Sequence, residues 1–296
     1  MSNINKEYRL EITNKIIEAL KNGTAPWQRN WFGDDMPLNA ITGSRYRGTN
    51  SLLLSVAGDV LDNGANPRWC TYLQAKLNGW KIKKDSSGTR IFFWKTISVK
   101  SNEVIDDYCD ETSDALKTIP VMKFFTVFHA SQIEGIEPYA PTKVNKVIAN
   151  QIVENIIINS GADIRYKGFR AFYSPVEDYI QIPQPEYFFD TNAYYSTLLH
   201  ELAYWTGHEL KRNMQLNKTS PAYAQEELVA EIASMFLSYE TGIPQTQEHF
   251  DNHAAYIASW ISLLSSNCNI LFKAASDAEK IVDLLLRFKF KNVSQS

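Results

Sequence analysis

The sequence predicts an α+β protein built of two units, an N-terminal helix-and-sheet unit and a C-terminal unit with a small sheet followed by helices. Three observations lead there. Apolar residues recur at helical spacing near the start of the chain and again from Tyr194 onward. Between them lie short runs rich in aromatic and β-branched residues, the pattern of strands. The segment "GIEPYAPTKVNK", with Pro138 and Pro141, interrupts both patterns and reads as a linker. The expected division is therefore 1–137, a linker at 138–143, and 144–296.

In chain order, "EYRLEITNKIIEALKN" (7–22) spaces Leu10, Ile12, Ile16, Ile17 and Leu20 as an amphipathic helix, with Gly23 as its stop. The stretch "TAPWQRNWFGDDMPLNAITGSRYRGTNSLLL" is dense in Pro, Gly and Asn and reads as an ordered loop region. Helices are expected at about 51–61 and in "TYLQAKLNGW", and strands in "WKIKK", "TRIFFWKTISV" and "KFFTVFHASQI". Beyond the linker, "KVIANQIVENIIINSG" is a helix ended by Gly161. "DIRYKG", "RAFYSP" and "DYIQIP" are short strands, with Pro175 and Pro183 marking edges.

At 296 residues the chain can bury two cores of ordinary size. No apolar run approaches the roughly 20 residues of a membrane helix, and "MSNINKEYRLEITNK" lacks the apolar centre of a signal peptide, so a cytoplasmic protein without a membrane partner is expected. Cys70, Cys109 and Cys268 are far apart and form no CxxC pair, which argues against a disulfide framework or a cysteine metal site.

The net charge of −3 conceals an asymmetry: residues 1 to 100 carry 15 Lys+Arg against 8 Asp+Glu. A basic first third points to a polyanionic partner. The acidic run "EVIDDYCDETSD" (103–114) is a solvated loop rather than a DNA mimic, since mimicry needs a far larger negative charge than −3.

Chemistry concentrates at "LLHELAYWTGH", residues 198–208. In a helix, residues four apart are offset by about 40° and one turn, so two histidines at that spacing can share an ion while a glutamate beside the first serves as general base. His200 and Glu201 fill the first two roles, but Tyr204 stands where the second histidine belongs. A phenol, with a pKa near 10, is an uncommon ligand. His208 is the alternative, although in a continuous helix it lies about 12 Å further along the axis, so only a turn at Gly207 could return it. The next helix, "AYAQEELVAEIASMFL", offers Glu226, Glu227 and Glu231; the expected division of labour puts Glu227 on the metal and Glu231 behind it, holding the other ring nitrogen of His200.

In the first unit, cations interleave with flat side chains, as a groove for single-stranded nucleic acid requires. The candidates are Trp27, Arg29, Trp31, Asn39, Arg45, Tyr46, Arg47, Asn50, Trp69, Lys81, Lys83, Lys84, Arg90 and Trp94, while Trp80 and Phe92 read as core. No motif for sequence-specific duplex reading is present.

These residues carry a family resemblance. "YYSTLLHELAYWTGHELKR", "YAQEELVAEIASMFL" and "HAAYIASWISLL...FKAASDAEKIVDLLL" resemble the C-terminal metallopeptidase domain of the ArdC antirestriction proteins of conjugative plasmids. "GTAPWQRNW", "PLNAITGSRYRGTNSLLL", "PRWCTYLQAKLNGWKIKKDSSGTRIFFWK" and "FTVFHASQIEG" resemble the single-stranded DNA-binding domain of the same family. The resemblance implies a zincin-like fold holding a divalent metal, zinc first and manganese as the alternative. His200 is then the first ligand, Glu201 the general base and Glu227 the downstream ligand; Tyr204 departs from the family's histidine. It further implies a protein of a mobile element that protects incoming DNA, with single-stranded DNA, and host restriction or DNA-bound proteins, as partners. A domain without turnover, acting only as a binding module, is the other expectation.

Overall fold

The computed structural model describes residues 3–23, 25, 36–62, 66–99, 117–140, 146–212, 214, 217, 220–244 and 254–290. The first unit runs α1 (Asn3–Lys21), β1 (Leu38–Asn39), α2 (Gly48–Asp62), β2 (Arg68–Thr71), α3 (Tyr72–Leu77), β3 (Lys81–Ile82), β4 (Thr89–Val99), β5 (Lys117–His129) and β6 (Ile133–Glu134). The second runs α4 (Lys146–Ser160), β7 (Asp163–Tyr166), β8 (Phe172–Ser174), β9 (Tyr179–Ile182), α5 (Thr191–Trp205), α6 (Pro221–Thr241), α7 (Ala254–Ser266) and α8 (Asn269–Arg287). The α+β class and the order of sheet before helices in the second unit follow the sequence reading.

Several boundaries differ for local reasons. β1 and β2 are absent from the sequence reading: β1 is only two residues long, and β2 continues directly into α3, whose N-terminus is capped by Thr71 and Gln74 reciprocally. The expected strand at 123–133 instead ends at His129, where a 3-10 turn separates it from β6. Helix α1 stops where expected because Gly23 adopts φ +77°, a conformation that satisfies the last turn at no steric cost.

One sheet has the order β1-β2-β5-β4, a second pairs β3 with β6, and the third has the order β7-β9-β8. β4 and β5 form an antiparallel ribbon from Thr89↔Val127 to Val99↔Lys117. The outer edge of β4 is closed by side chains: Tyr8 Oη donates to Arg90 O at 2.6 Å, and Asn50 both donates to Phe92 O (2.6 Å) and accepts from Phe92 N (3.2 Å). At these two residues the edge is not free to pair with another chain.

The main hydrophobic core crosses the expected boundary at 138–143. Ile12, Ile16 and Leu20 of α1 and Leu52 of α2 belong to the same buried cluster as Leu198 of α5, Phe236 of α6, Trp260 of α7 and Ile281 of α8. A smaller cluster under the first sheet gathers Tyr46, Leu54, Trp69, Ile91 and Val127. The apolar face of α1 therefore serves the second unit's helices as well as the β4–β5 ribbon, on which Tyr8 packs. No helix among the described residues is long and apolar enough to cross a membrane. Cys70 and Cys268 are buried free thiols, and burial pushes Cys70 up to about 11.

Candidate functional site

Two helices build the candidate metal centre. α5 is capped by Asp190, whose carboxylate accepts from Ala193 N at 2.8 Å, and α6 is capped by Ser220 with Pro221 as its first residue. Each helix turns one face inward, and the crossing brings His200 of α5 against Glu227 and Glu231 of α6, all three buried. His200 Nε2 lies 3.7 Å from Glu227 Oε1; His200 Nδ1 lies 3.4 Å from Glu231 Oε1 and 3.3 Å from Ser234 Oγ. Glu201 is buried in the same turn as His200.

The three residues have donor atoms within 4.8 Å of one another, but the two glutamates address opposite nitrogens of one imidazole. An ion takes only one of those nitrogens, so Nε2 with Glu227 forms the donor pair, and their 3.7 Å separation is one that an ion with bonds of about 2 Å to each can bridge. Glu231 and Ser234 sit where they fix the ring from behind. The donor chemistry thus fits a divalent ion, with a phenol in the third place.

That phenol is engaged. Tyr204 Oη donates a short hydrogen bond to Glu227 Oε2, and its ring stands edge-on to His200 at 5.3 Å between centroids. Burial, and next the charge of Glu227, push the Tyr204 hydroxyl well above its usual range, so it holds its proton at neutral pH. Two tyrosines missed at the sequence level join it: the Tyr223 hydroxyl hydrogen-bonds with those of Tyr204 and Tyr256. Tyr223 could have been found, since it lies one helical turn before Glu227; Tyr256 comes from a distant helix with no local signal.

His208, the alternative ligand, is corrected by the structure. α5 ends at Trp205, and the turn that follows carries His208 outward, exposed, where Nε2 donates to Pro175 O at 3.2 Å. The turn at Gly207 exists but leads toward β8 rather than back to His200. Gly207 is sterically required: a β-carbon there would lie 2.6 Å from Met214 Sδ and 2.9 Å from the backbone oxygen of Tyr204. Gly207→Ala is expected to cost about 1–3 kcal/mol, because the second contact is backbone and cannot swing away; a melting curve beside wild type measures it, and an unchanged midpoint would refute it.

Glu226 also finds a different employment. Its carboxylate accepts from Arg212 Nη1 at 2.7 Å, and Arg212 Nη2 donates to Ala203 O (2.5 Å) and Thr206 Oγ1 (3.2 Å) at the end of α5. The guanidinium thus caps the C-terminus of the helix that carries His200, where a cation is favoured.

The strand that Pro183 marks as an edge lies instead at the centre of its sheet. "DYIQIP" becomes β9, which is flanked by β7 on one side and β8 on the other, so its main-chain groups are already paired. Among the described residues β8 pairs with β9 alone, which leaves its outer edge open; it packs on α5, and its Tyr173 ring lies 6.5 Å from that of His208.

Among the nucleic-acid candidates, Trp27, Arg29 and Trp31 fall outside the described residues, and Trp94 lies in β4. Lys81, Lys83, Lys84 and Arg90 are exposed. The remaining six are engaged within the fold. Trp69 is 1% exposed, packed against His129 with ring centroids 4.7 Å apart, and Tyr46 is buried in the same region, so neither ring can stack on a base. Asn50 is spent on closing the β4 edge. Asn39 folds its own loop, accepting from Ile41 N and Thr42 N. Arg45 pairs with Glu240 at 2.6 Å, and Arg47 pairs with Glu279 and Asp283, so both already meet carboxylates of the second unit. Sequence alone sees the basic residues but not the acids folded onto them.

Comparisons with known proteins bear on both units. Residues 6–128 match the N-terminal domain of anti-restriction factor ArdC, and residues 151–277 match a zincin-like metallopeptidase domain. Two DNA primase TraC proteins of Escherichia coli are 39% and 38% identical over 100% and 98% of this chain, which spans only 28% and 20% of their length. The uncharacterized protein y4eC of Sinorhizobium fredii is 31% identical over 92% of this chain and 89% of its own. Among solved structures, the metal-free crystal structure of antirestriction protein ArdC from plasmid R388 is 32% identical, with a TM-score of 0.76 over 95% of this chain and 97% of that one. Its Mn(II)-bound structure aligns equally well, with a TM-score of 0.75 over 96% and 98%. With both domains matched in order and a solved ArdC aligning along almost its whole length, the chain belongs to the ArdC antirestriction family and carries that family's N-terminal domain ahead of a zincin-like metallopeptidase domain.

Proposed function

We propose that the protein binds single-stranded DNA through its N-terminal unit and protects the incoming DNA of a mobile element from host restriction, with a divalent-metal-dependent peptidase centre in its C-terminal unit. The observation that carries the second half is the buried junction of His200 with Glu227 on one ring nitrogen and Glu231 on the other. In this reading His200 and Glu227 hold the ion, Glu231 fixes the imidazole, and Glu201 takes the proton of the attacking water and passes it to the leaving amine. The ion, zinc or manganese, supplies polarisation of the scissile carbonyl and a more acidic water. The open edge of β8 aligns an extended substrate by main-chain pairing. Host restriction proteins or other DNA-bound proteins are the substrates this placement suits. Support for the DNA half comes from the ArdC N-terminal match and from the exposed Lys81, Lys83, Lys84 and Arg90 in a basic first third.

One observation favours a second reading, in which the C-terminal unit binds without turnover: Tyr204 Oη donates a hydrogen bond to a carboxylate oxygen of the proposed ligand Glu227. Elemental analysis of protein supplied with zinc and manganese separates the two. Stoichiometric metal in wild type, lost in His200→Ala and in Glu227→Ala, supports the peptidase reading. Glu201→Gln should then keep the metal and lose at least about 100-fold in turnover. Metal-free wild type would leave only the binding module.

A further inference from the structure

Resting on the single-stranded DNA reading above, we infer that Phe93 and Phe125, side by side on the outer face of the β4–β5 ribbon with Lys123 beside them, form the platform on which unpaired bases stack.

The ribbon carries two consecutive aromatic pairs, Phe92–Phe93 on β4 and Phe124–Phe125 on β5, and alternation sends one member of each to each face. Phe92 and Phe124 turn inward, their rings 5.9 and 4.9 Å from that of Tyr8, and Phe92 also meets Phe272 at 5.8 Å. Phe93 and Phe125 turn the other way. Closer to the core this face is buried by Ile91 and Val127, but two residues further out the cover ends, leaving Phe93 47% and Phe125 43% exposed.

Their rings lie 5.6 Å apart at 74°, so each covers part of the other's edge and leaves ring surface open to solvent. Two phenylalanines left almost half in water on a regular sheet add little to folding beyond their own edge-to-face contact, since the ribbon's inner face already anchors it. Lys123 is exposed and sits directly opposite Phe93 in the ladder. An aromatic pair with a cation at its flank matches a nucleotide, whose base offers a π-face and whose phosphate offers a charge; every base has such a face, so recognition does not depend on sequence. Duplex DNA hides those faces within its own stack, which makes single strands the ligand.

The test uses the full chain and a fluorescently labelled oligothymidylate, read by anisotropy. Removing both rings in Phe93→Ala/Phe125→Ala should weaken binding at least about tenfold and up to about a hundredfold per ring, given what one stacked base contributes. Both rings are exposed, so the melting temperature should stay near wild type. Phe93→Trp should keep the affinity, and its added indole emission should be quenched by the bound strand. Wild-type affinity in the double variant, or unquenched indole emission from Phe93→Trp on a bound strand, would overturn this assignment while the DNA-binding reading stands. Failure of wild type itself to bind the oligonucleotide would overturn both.

Discussion

Replacing Arg212 by alanine is expected to destabilise the protein by about 3–5 kcal/mol, the range for removing one partner of a buried ion pair. Both side chains are shielded, that of Arg212 at 7% exposure and that of Glu226 at 11%. Burial lowers the arginine's hold on its proton and raises that of the glutamate, and each offsets the penalty of the other. Without the guanidinium, Glu226 would remain buried near Asp277 with only Lys273 left to compensate its charge. The carbonyl of Ala203 would also lose a donor at the end of α5. The effect should extend to the site, because that helix end carries Tyr204 and sits one turn from His200. Arg212→Lys should recover only part of the loss, since an ammonium cannot reach Glu226 and the carbonyl with one planar fork. Arg212→Ala/Glu226→Ala should cost less than the single change, because no charge is then stranded. Denaturant titration measures all three; a single-variant loss under about 0.5 kcal/mol, typical of a surface position, would mean that the clamp contributes little.

The same pair shows what the sequence makes legible. The α+β class, the α1 and α4 helices, the helical run from α5 onward and the meeting of His200 with Glu227 and Glu231 could be read because each rests on local spacing: the apolar period of α1, or the one-turn separation of Glu227 and Glu231. What escaped depends on contacts across the chain. Arg212 and Glu226 are 14 residues apart and share no helix face, so nothing local pairs them. Trp69 looks like a stacking residue among basic neighbours, yet it is the floor of a cluster assembled from α2, β4 and β5. The Phe92–Phe93 dipeptide has the opposite difficulty: the strand period says that one ring faces each way, but which one is buried is decided by where α1 and α8 pack. Arg45 and Arg47 read as free cations until Glu240, Glu279 and Asp283 arrive from helices about two hundred residues away.

Tyr204→His should raise metal affinity by about 100-fold or more, since loss of an outer partner of a ligand already costs 10–100-fold and this change adds a ligand itself. Position 204 is buried one helical turn beyond His200, on the face that meets Glu227. The wild-type phenol opposes binding twice. It keeps its proton, because burial and the charge of Glu227 favour the neutral form, and it spends that proton on the carboxylate expected to hold the ion. An imidazole there offers a neutral nitrogen and releases Glu227. In the absence of metal the variant should be less stable by about 1–3 kcal/mol, since the link from Glu227 through Tyr204 to Tyr223 is broken. With metal at a hundred times its Kd, binding should return about 2.7 kcal/mol. Competition against a chromophoric chelator gives the affinity, and melting with and without zinc gives the linkage. Tyr204→Phe is the decisive control, because it frees Glu227 without supplying a donor. If phenylalanine raises affinity as much as histidine, the hydrogen bond to Glu227 is what restrains the wild-type site. If only histidine does, the missing third ligand is the restraint, and if neither does, α5 and α6 hold these side chains in a geometry that no single substitution turns into a metal centre.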